Sequence, residues 1–180
     1  MANIEFTQIE LSLIQQELND PTIEIFLKKD WGSENQNYRQ YLHTDLKLRG
    51  SVADSSISHT DGLGGYVLTQ NWGTKVGCDI EVIERVRPEL ARRICNTEEE
   101  FRIAPKPASL WAAKEASFKA LKGPHQPVVV TEITIGSWMA PHSQYETCRI
   151  DNLQKFNLSV AKGVVFLKSG FVFCFFSARA

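Results

Sequence analysis

Polar and apolar residues in the first third of the chain follow a helical pattern and then a strand pattern. Thr7 and Glu10 have the spacing of a capping box, and the apolar residues that follow, up to Leu18, recur at roughly helical intervals. The stretch 22–27 is β-branched and aromatic and predicts a strand, whereas 38–48 predicts a short helix.

Two strand-like stretches, 65–69 and 74–81, lie on either side of the turn residues 71–73. We expect them to pair as a β-hairpin. Successive side chains of a strand point to opposite faces, so Asp79 and Glu81 should project from the same face of the second strand. The hairpin would therefore present two carboxylates side by side.

The helical patterns that follow lie at 88–95, 98–102 and 110–122. In the last of them Trp111, Glu115 and Lys119 recur every four residues and line one side of the helix. Small residues recur along a second side and predict a narrow packing seam, formed by Ala112, Ala116 and Ala120.

The last third of the chain is rich in Val, Ile, Phe and Thr and predicts strands. The predicted strands lie at 128–138, 144–150, 158–168 and 171–177. Residues 168–170 (Lys-Ser-Gly) are suited to a hairpin turn. Together with the helices, these strands predict an α+β fold with antiparallel sheets.

Composition narrows the class of protein. The 180 residues are 43% apolar, enough for one good core or two small fused lobes. The formal net charge is −1, so no global basic field would attract nucleic acid.

The longest apolar run, 171–176, is too short to span a bilayer, and the first residues carry no secretion signal. We therefore expect a cytoplasmic protein, with four scattered cysteines that are reduced and mostly buried.

The carboxylates are the strongest sign of chemistry. If the helix at 110–122 packs on the strand of Asp79 and Glu81, Glu115 joins them. Carboxylates held about 4 Å apart repel by roughly 4 kcal/mol at an effective dielectric constant near 20, so they take up protons or bind a cation. An all-oxygen set favours Mg²⁺, which keeps positions for substrate phosphates. Taken singly, each motif fits a solvated strand face or an exposed ion-pair ladder, but their joint occurrence favours a site.

Three blocks in order resemble the 4'-phosphopantetheinyl transferase superfamily. Residues 77–81 (Gly-Cys-Asp-Ile-Glu) are similar to the family's Gly-x-Asp-x-Glu metal strand. Residues 111–121 begin Trp-Ala-Ala-Lys-Glu and resemble its Trp-x-x-Lys-Glu-x-x-x-Lys helix. A Ser-Ile-Ser-His-Thr segment at 56–60 precedes both. The resemblance implies the family's fold and the transfer of phosphopantetheine from coenzyme A to a carrier-protein serine, with release of 3',5'-ADP.

The resemblance also implies roles for individual residues. Asp79, Glu81 and Glu115 would hold Mg²⁺ against the coenzyme A diphosphate. Lys119 would touch a phosphate, and with Glu115 it would belong to the catalytic set. Either Glu115 or a water on the metal would take the serine proton, and the sequence leaves both open.

Ser58 and His59 would meet the 3'-phosphate end of the cofactor. This motif order resembles the larger, surfactin-type branch, which forms its site within one pseudo-duplicated chain. It implies an amino-terminal lobe at 1–75 and a metal-binding transferase lobe at 76–180. The segment 77–121 equally resembles the short branch that works as a trimer, so the oligomeric state stays open.

The chain departs from the family pattern in three places. The amino-terminal lobe before Ser56 is short for the larger branch. The family's Gly-Lys-Pro segment is absent, and we nominate Lys47 or Arg49 as a substitute cation near the cofactor. The segment 123–127 lacks the usual second glycine after the helix, which predicts a rearranged loop.

Four arginines follow the metal strand closely: Arg85, Arg87, Arg92 and Arg93. Only Glu89 lies among them to offset their charge. The segment is either ordinary solvated surface or a patch that attracts an acidic apo carrier protein.

Two rival functions are open. One is a non-catalytic module of the same family that binds coenzyme A or a carrier. The other is a magnesium phosphohydrolase, which is disfavoured because no further nucleophile or acidic cluster accompanies the site.

Overall fold

A computed structural model of the chain describes residues 4–123 and 126–180. These residues form two antiparallel sheets packed with helices, which confirms the α+β class. The α-helices are α1 (Gln8–Glu17), α2 (Tyr38–Leu48), α3 (Pro88–Arg93), α4 (Glu98–Ile103) and α5 (Pro107–Ala120). The strands are β1 (Glu24–Lys28), β2 (Asp54–Thr60), β3 (Leu63–Thr69), β4 (Lys75–Val82), β5 (Ile135–His142), β6 (Tyr145–Ile150), β7 (Val160–Lys168) and β8 (Phe171–Arg179).

The first two helices confirm the sequence patterns. Thr7 accepts a hydrogen bond from the Glu10 amide at 3.2 Å, and the Glu10 carboxylate accepts one from the Thr7 amide at 2.7 Å. This reciprocal pair is the predicted capping box, and it satisfies two amides that the helix leaves open. Helix α2 has the predicted bounds.

The predicted hairpin at 65–81 is wrong. Strand β3 lies between β1 and β2 in a three-stranded sheet, whereas β4 pairs with β8 at the edge of a five-stranded sheet of order β4-β8-β7-β6-β5. The hairpin partner of β3 is β2, across a turn at Asp61 and Gly62. Strand β2 carries few apolar residues, so its sequence gives a weak strand signal.

Polar side chains of β2 join the two sheets. Three alternate residues of β2, Asp54, Ser56 and Ser58, each accept a backbone hydrogen bond from the edge of β4. The bonds run from Val76 to Asp54 (2.8 Å), from Cys78 to Ser56 (3.1 Å) and from Ile80 to Ser58 (3.1 Å). Buried backbone amides need a partner, and the alternating polar side chains of β2 supply it.

The two faces of β4 belong to different apolar clusters. Val76, Cys78 and Ile80 pack with α1 and the three-stranded sheet on one face. Helix α5 covers the opposite face through its predicted alanine seam, which is fully buried. A Cβ at Gly77 would overlap the Ala116 carbonyl, so glycine at this position permits the close approach of α5.

The remaining predictions from the sequence concern the cysteines, membrane-spanning segments and one loop. Cys78, Cys148 and Cys174 are buried, and Cys95 is partly buried, with all four thiols free. No helix within the described ranges has the length and apolar composition that crossing a bilayer requires. The rearranged loop predicted at 123–127 includes Pro124 and His125, which lie outside the described residues.

Candidate functional site

Asp79 lies at the contact between β4 and α5. Its side chain is only 4% exposed, and Lys119 of α5 donates to its Oδ1 over 2.7 Å. Ser58 of β2 donates to the same oxygen over 3.1 Å. Among the described residues, the buried Oδ2 has no hydrogen-bond partner. A buried carboxylate oxygen without a donor is costly, so this atom is suited to a cation or to a ligand's donor.

Glu81 follows Asp79 on the α5 side of the strand. Burial and then the charge of Asp79 raise the pKa of Glu81 to about 7, although Lys119 and a hydrogen bond from Trp111 act in the opposite direction. Its carboxyl group is therefore close to a half-protonated state at neutral pH. The indole of Trp111, on α5, also fixes the orientation of this group.

Glu115 belongs to the same electrostatic group. Burial and then the charge of Asp79 raise its pKa, while Lys119 lowers it. For Lys119, burial alone would lower the pKa, but Asp79 and further negative groups raise it. The charges of Asp79, Glu81, Glu115 and Lys119 thus act directly on one another.

The arrangement of these carboxylates bears on whether they could hold a metal ion. As they stand, no three His, Cys, Asp or Glu side chains in the described part of the chain are close enough together to hold an ion. Lys119 supplies the positive charge at Asp79. The buried Asp79 Oδ2 nevertheless has no partner among the described residues, and burial followed by the charge of Asp79 raises the pKa of Glu81 and of Glu115. Oxygen ligands in this setting fit a hard divalent cation.

Ser58 and His59 are neighbours on β2 with different surroundings. Ser58 is buried and holds Asp79, and its Oγ also lies 3.3 Å from Lys119 Nζ. The imidazole of His59 lies against Tyr38, with ring centroids 4.2 Å apart. Its pKa is lowered by burial, by Lys119 and by Arg39, so the ring is neutral at pH 7.

The structure separates the two nominated cations from this site. Arg49 donates to Asp45 at 3.0 Å and to Tyr66 at 2.9 Å, and it lies over the Phe26 ring. Helix α2 starts beside His59, so Lys47 near its far end is about 14 Å away along the helix axis. Within the described ranges, no hydrogen bond or ion pair joins either cation to His59.

Lys114, the lysine of the α5 motif, is a structural residue that sequence reasoning missed. Lys114 and Glu100 are both 0% exposed, and Nζ lies 2.9 Å from Glu100 Oε1. Lys114 also donates to the Ile133 carbonyl, and Glu100 accepts from the Ile135 amide at 2.6 Å. Lys114 lies one turn after Leu110 on the buried face of α5, and that position in the apolar stripe was the available signal.

The four arginines differ in their pairing. Arg85 pairs with Asp61, and Arg92 pairs with Glu98 at 3.2 Å. Arg87 and Arg93 are exposed on α3 and the residue before it, without a carboxylate in ion-pair range among the described residues. The free positive charge is therefore smaller than the sequence suggests.

Comparison with known proteins identifies the family of the chain. The model of the 4'-phosphopantetheinyl transferase superfamily matches residues 75–171, a span that holds Asp79, Glu81, Glu115 and Lys119. No curated protein sequence matches the chain. The matched span exceeds half of the 180 residues and contains the whole carboxylate group, and the chain therefore belongs to the 4'-phosphopantetheinyl transferase superfamily.

Proposed function

We propose that this chain transfers the 4'-phosphopantetheine group of coenzyme A to a serine of an apo acyl or peptidyl carrier protein, with Mg²⁺ as cofactor and 3',5'-ADP as product. One observation carries the proposal. Within the family-matched span, Glu81 and Glu115 have raised pKa values around Asp79, and Lys119 contacts Asp79. Such a mixed group of acids and one cation suits phosphoryl-transfer chemistry.

The metal would be held by Asp79, Glu81 and Glu115. Oxygen ligands of this kind suit Mg²⁺, and the unpartnered Asp79 Oδ2 offers a lone pair for it. When bound, Mg²⁺ neutralises charge on the diphosphate of coenzyme A. Ser58 fixes Asp79 from one side and Trp111 fixes Glu81 from another, so the ligands are oriented in advance.

The reaction exchanges one phosphorus–oxygen bond for another. The carrier serine oxygen forms a bond to the β-phosphorus of coenzyme A, and the bond from that phosphorus to the bridging oxygen breaks, so that 3',5'-ADP leaves. The serine proton goes to Glu115 or to a water molecule in the site. The ammonium of Lys119 stabilises charge that develops on a phosphate oxygen.

His59 and Ser58 serve the nucleotide end of the cofactor in this proposal. The His59 ring lies beside Tyr38. Ser58 contacts Asp79 and Lys119, and through them it supports the site. Arg87 and Arg93 are the free charges of the arginine segment and would meet the acidic carrier. The four free thiols fit the reducing cytoplasm.

The mass of the carrier protein after the reaction distinguishes this function from the two alternative functions. The chain is incubated with coenzyme A, Mg²⁺ and an apo carrier, and the carrier is examined by mass spectrometry. We expect a mass gain of one phosphopantetheine. An unchanged carrier with coenzyme A intact but bound would indicate a binding module, and cleaved coenzyme A with an unchanged carrier would indicate a phosphohydrolase.

A further inference from the structure

Strand β1 leaves one edge of the three-stranded sheet without a partner strand. Within residues 4–123 and 126–180 it pairs with β3 and with no other strand. No backbone hydrogen bond from a helix or loop in these ranges reaches Glu24–Lys28. In an antiparallel pair, alternate residues direct their N–H and C=O groups away from the partner. The outer edge of β1 therefore carries backbone groups to which a further strand can bond.

The residues of β1 do not protect this edge. Its three central residues, Ile25, Phe26 and Leu27, are apolar and only partly buried. Many edge strands are protected from association by a central charge, a proline or a bulge. The charges of β1, Glu24 and Lys28, lie at its two ends, and its register with β3 is unbroken over all five residues. The edge is therefore regular and accessible.

The sequence of β1 is complementary to itself when two copies run antiparallel. With Phe26 at the centre of the pair, Glu24 of one copy lies opposite Lys28 of the other, and Ile25 lies opposite Leu27. Directly opposite side chains of an antiparallel pair share a face and interact, and opposite charges there stabilise the pair. The strand thus meets both a charge and an apolar partner in a second copy of itself.

The charges at the two ends are placed for such a contact. Glu24 is exposed, and no cation lies within ion-pair distance of it in the described part of the chain. Lys28 lies 3.4 Å from Asp45, but its side chain is 56% exposed and can meet a second carboxylate. A second copy supplies the cation that Glu24 lacks.

Apolar surface accompanies the edge on both faces of the sheet. A cavity of about 290 Å³ lies along β1, and its lining includes Ile25, Leu27 and Leu11. The antiparallel register places Leu27 of the second copy opposite Ile25, beside this cavity. On the face of Lys28, Tyr41 and Leu48 of α2 line a second cavity and are 46% and 80% exposed. Pairing of two edges would therefore also cover apolar side chains.

We propose that the β1 edges of two copies of this chain pair antiparallel about Phe26, so that two three-stranded sheets join into one sheet of order β2-β3-β1-β1-β3-β2. Strand β2, which bonds to β4 through Ser58, lies at the edge opposite β1. The pairing therefore leaves the carboxylate group around Asp79 unchanged in each copy. Because each strand contributes only five residues, we expect a weak dimer that dissociates on dilution.

Sedimentation equilibrium over a concentration series up to the high micromolar range tests the pairing and its register. We expect wild type to dimerise reversibly. Glu24→Lys and Lys28→Glu each place like charges opposite each other at both ends of the pair, and each should weaken the dimer about fivefold to thirtyfold. An equal mixture of these two variants restores both opposite-charge contacts and should dimerise at least as well as wild type. Glu89→Lys makes the same charge change at an exposed position of α3 and should match wild type.

Three results would overturn the proposal. Wild type could stay monomeric over the whole series, neither variant could weaken the dimer, or the mixture could associate no better than its components. Thermal unfolding establishes that each variant is folded, since Lys28→Glu brings a carboxylate close to Asp45. If that variant is unfolded, Glu24→Lys still decides the matter, because dimerisation equal to that of Glu89→Lys would refute the contact. The transferase function does not depend on any of these outcomes.

Discussion

Lys119 Nζ lies 2.7 Å from Asp79 Oδ1 and 3.1 Å from the carbonyl oxygen of Cys78, so one ammonium group of α5 bonds both to the side chain and to the backbone of β4. Its side chain remains 29% exposed, whereas that of Asp79 is 4% exposed. The amine is thus anchored to the acid, while part of the side chain stays open to solvent. In our account that open part meets a cofactor phosphate.

Replacing Lys119 by alanine should damage turnover more than binding. A cation that interacts better with the transition state than with the ground state contributes to kcat, and losing it lowers kcat. We expect kcat to fall roughly a hundredfold and coenzyme A affinity to change far less. Steady-state kinetics and calorimetry measure the two effects. A large loss of coenzyme A affinity with kcat near the wild-type value would show that Lys119 stabilises the bound ground state and not the transition state.

Glu81 should make the metal-free chain less stable as the pH rises. Its folded pKa of about 7 lies above the ordinary glutamate value of 4.5, so the folded state binds the proton more tightly. Stability is therefore lost as the pH rises from about 4.5 to about 7, and the loss then levels off. Glu81→Gln, which cannot ionise, should gain about 1 kcal/mol relative to wild type between pH 5 and pH 8, after allowance for solvent screening.

Urea unfolding in EDTA at the two pH values measures this gain. Glu84→Gln is the matched control, because Glu84 is an exposed carboxylate three residues further along. It should show no such change. If Glu81→Gln differed from wild type by the same amount at pH 5 and at pH 8, the carboxyl group would not be perturbed as described.

The buried pair of Lys114 and Glu100 should show strong coupling. Lys114→Met leaves the Glu100 carboxylate buried without its cation, and we expect a loss of about 3 to 5 kcal/mol of stability. Glu100→Gln added to Lys114→Met removes the stranded charge and keeps an acceptor for the Ile135 amide. The double variant should therefore be more stable than Lys114→Met alone. Additive losses in urea unfolding would refute the coupling.

Arg87 and Arg93 should act on the encounter with the carrier. Charge reversal at either exposed residue is expected to slow association several-fold at low salt, because rim charges mainly affect the on-rate. Coenzyme A affinity should stay the same. Arg149→Glu on β6 is the control of equal charge change. Association rates indistinguishable from the control would identify this segment as ordinary surface.

The sequence predicts elements well where local chemistry specifies them. The capping box of Thr7 and Glu10 and the pattern at 38–48 place the first two helices. The predicted partner of β3 was wrong because the pattern of a strand does not specify which strand it pairs with. In addition, β2 lacks an apolar pattern. Its polar residues, such as Ser56 and Ser58, are needed to bond the edge of β4, which is a tertiary requirement.

The site was predictable only in part for the same reason. Strand alternation puts Asp79 and Glu81 together, and Gly77 lets α5 approach them. The spacing within α5 gives no sign that Lys114 pairs with Glu100, since Glu100 belongs to another helix. Likewise, the contact between Tyr38 and His59 depends on where α2 begins in space.

The most direct test of the central claim compares the products formed by three proteins. Wild type, Asp79→Asn and Glu84→Gln are each incubated with coenzyme A, an apo carrier and either Mg²⁺ or EDTA, and thermal unfolding confirms that each variant is folded. We expect wild type and Glu84→Gln with Mg²⁺ to yield phosphopantetheinylated carrier and 3',5'-ADP in equal amounts, and Asp79→Asn or EDTA to yield almost none. A folded Asp79→Asn chain that modified the carrier as fast as wild type, or a wild-type chain that left the carrier unchanged, would contradict the account.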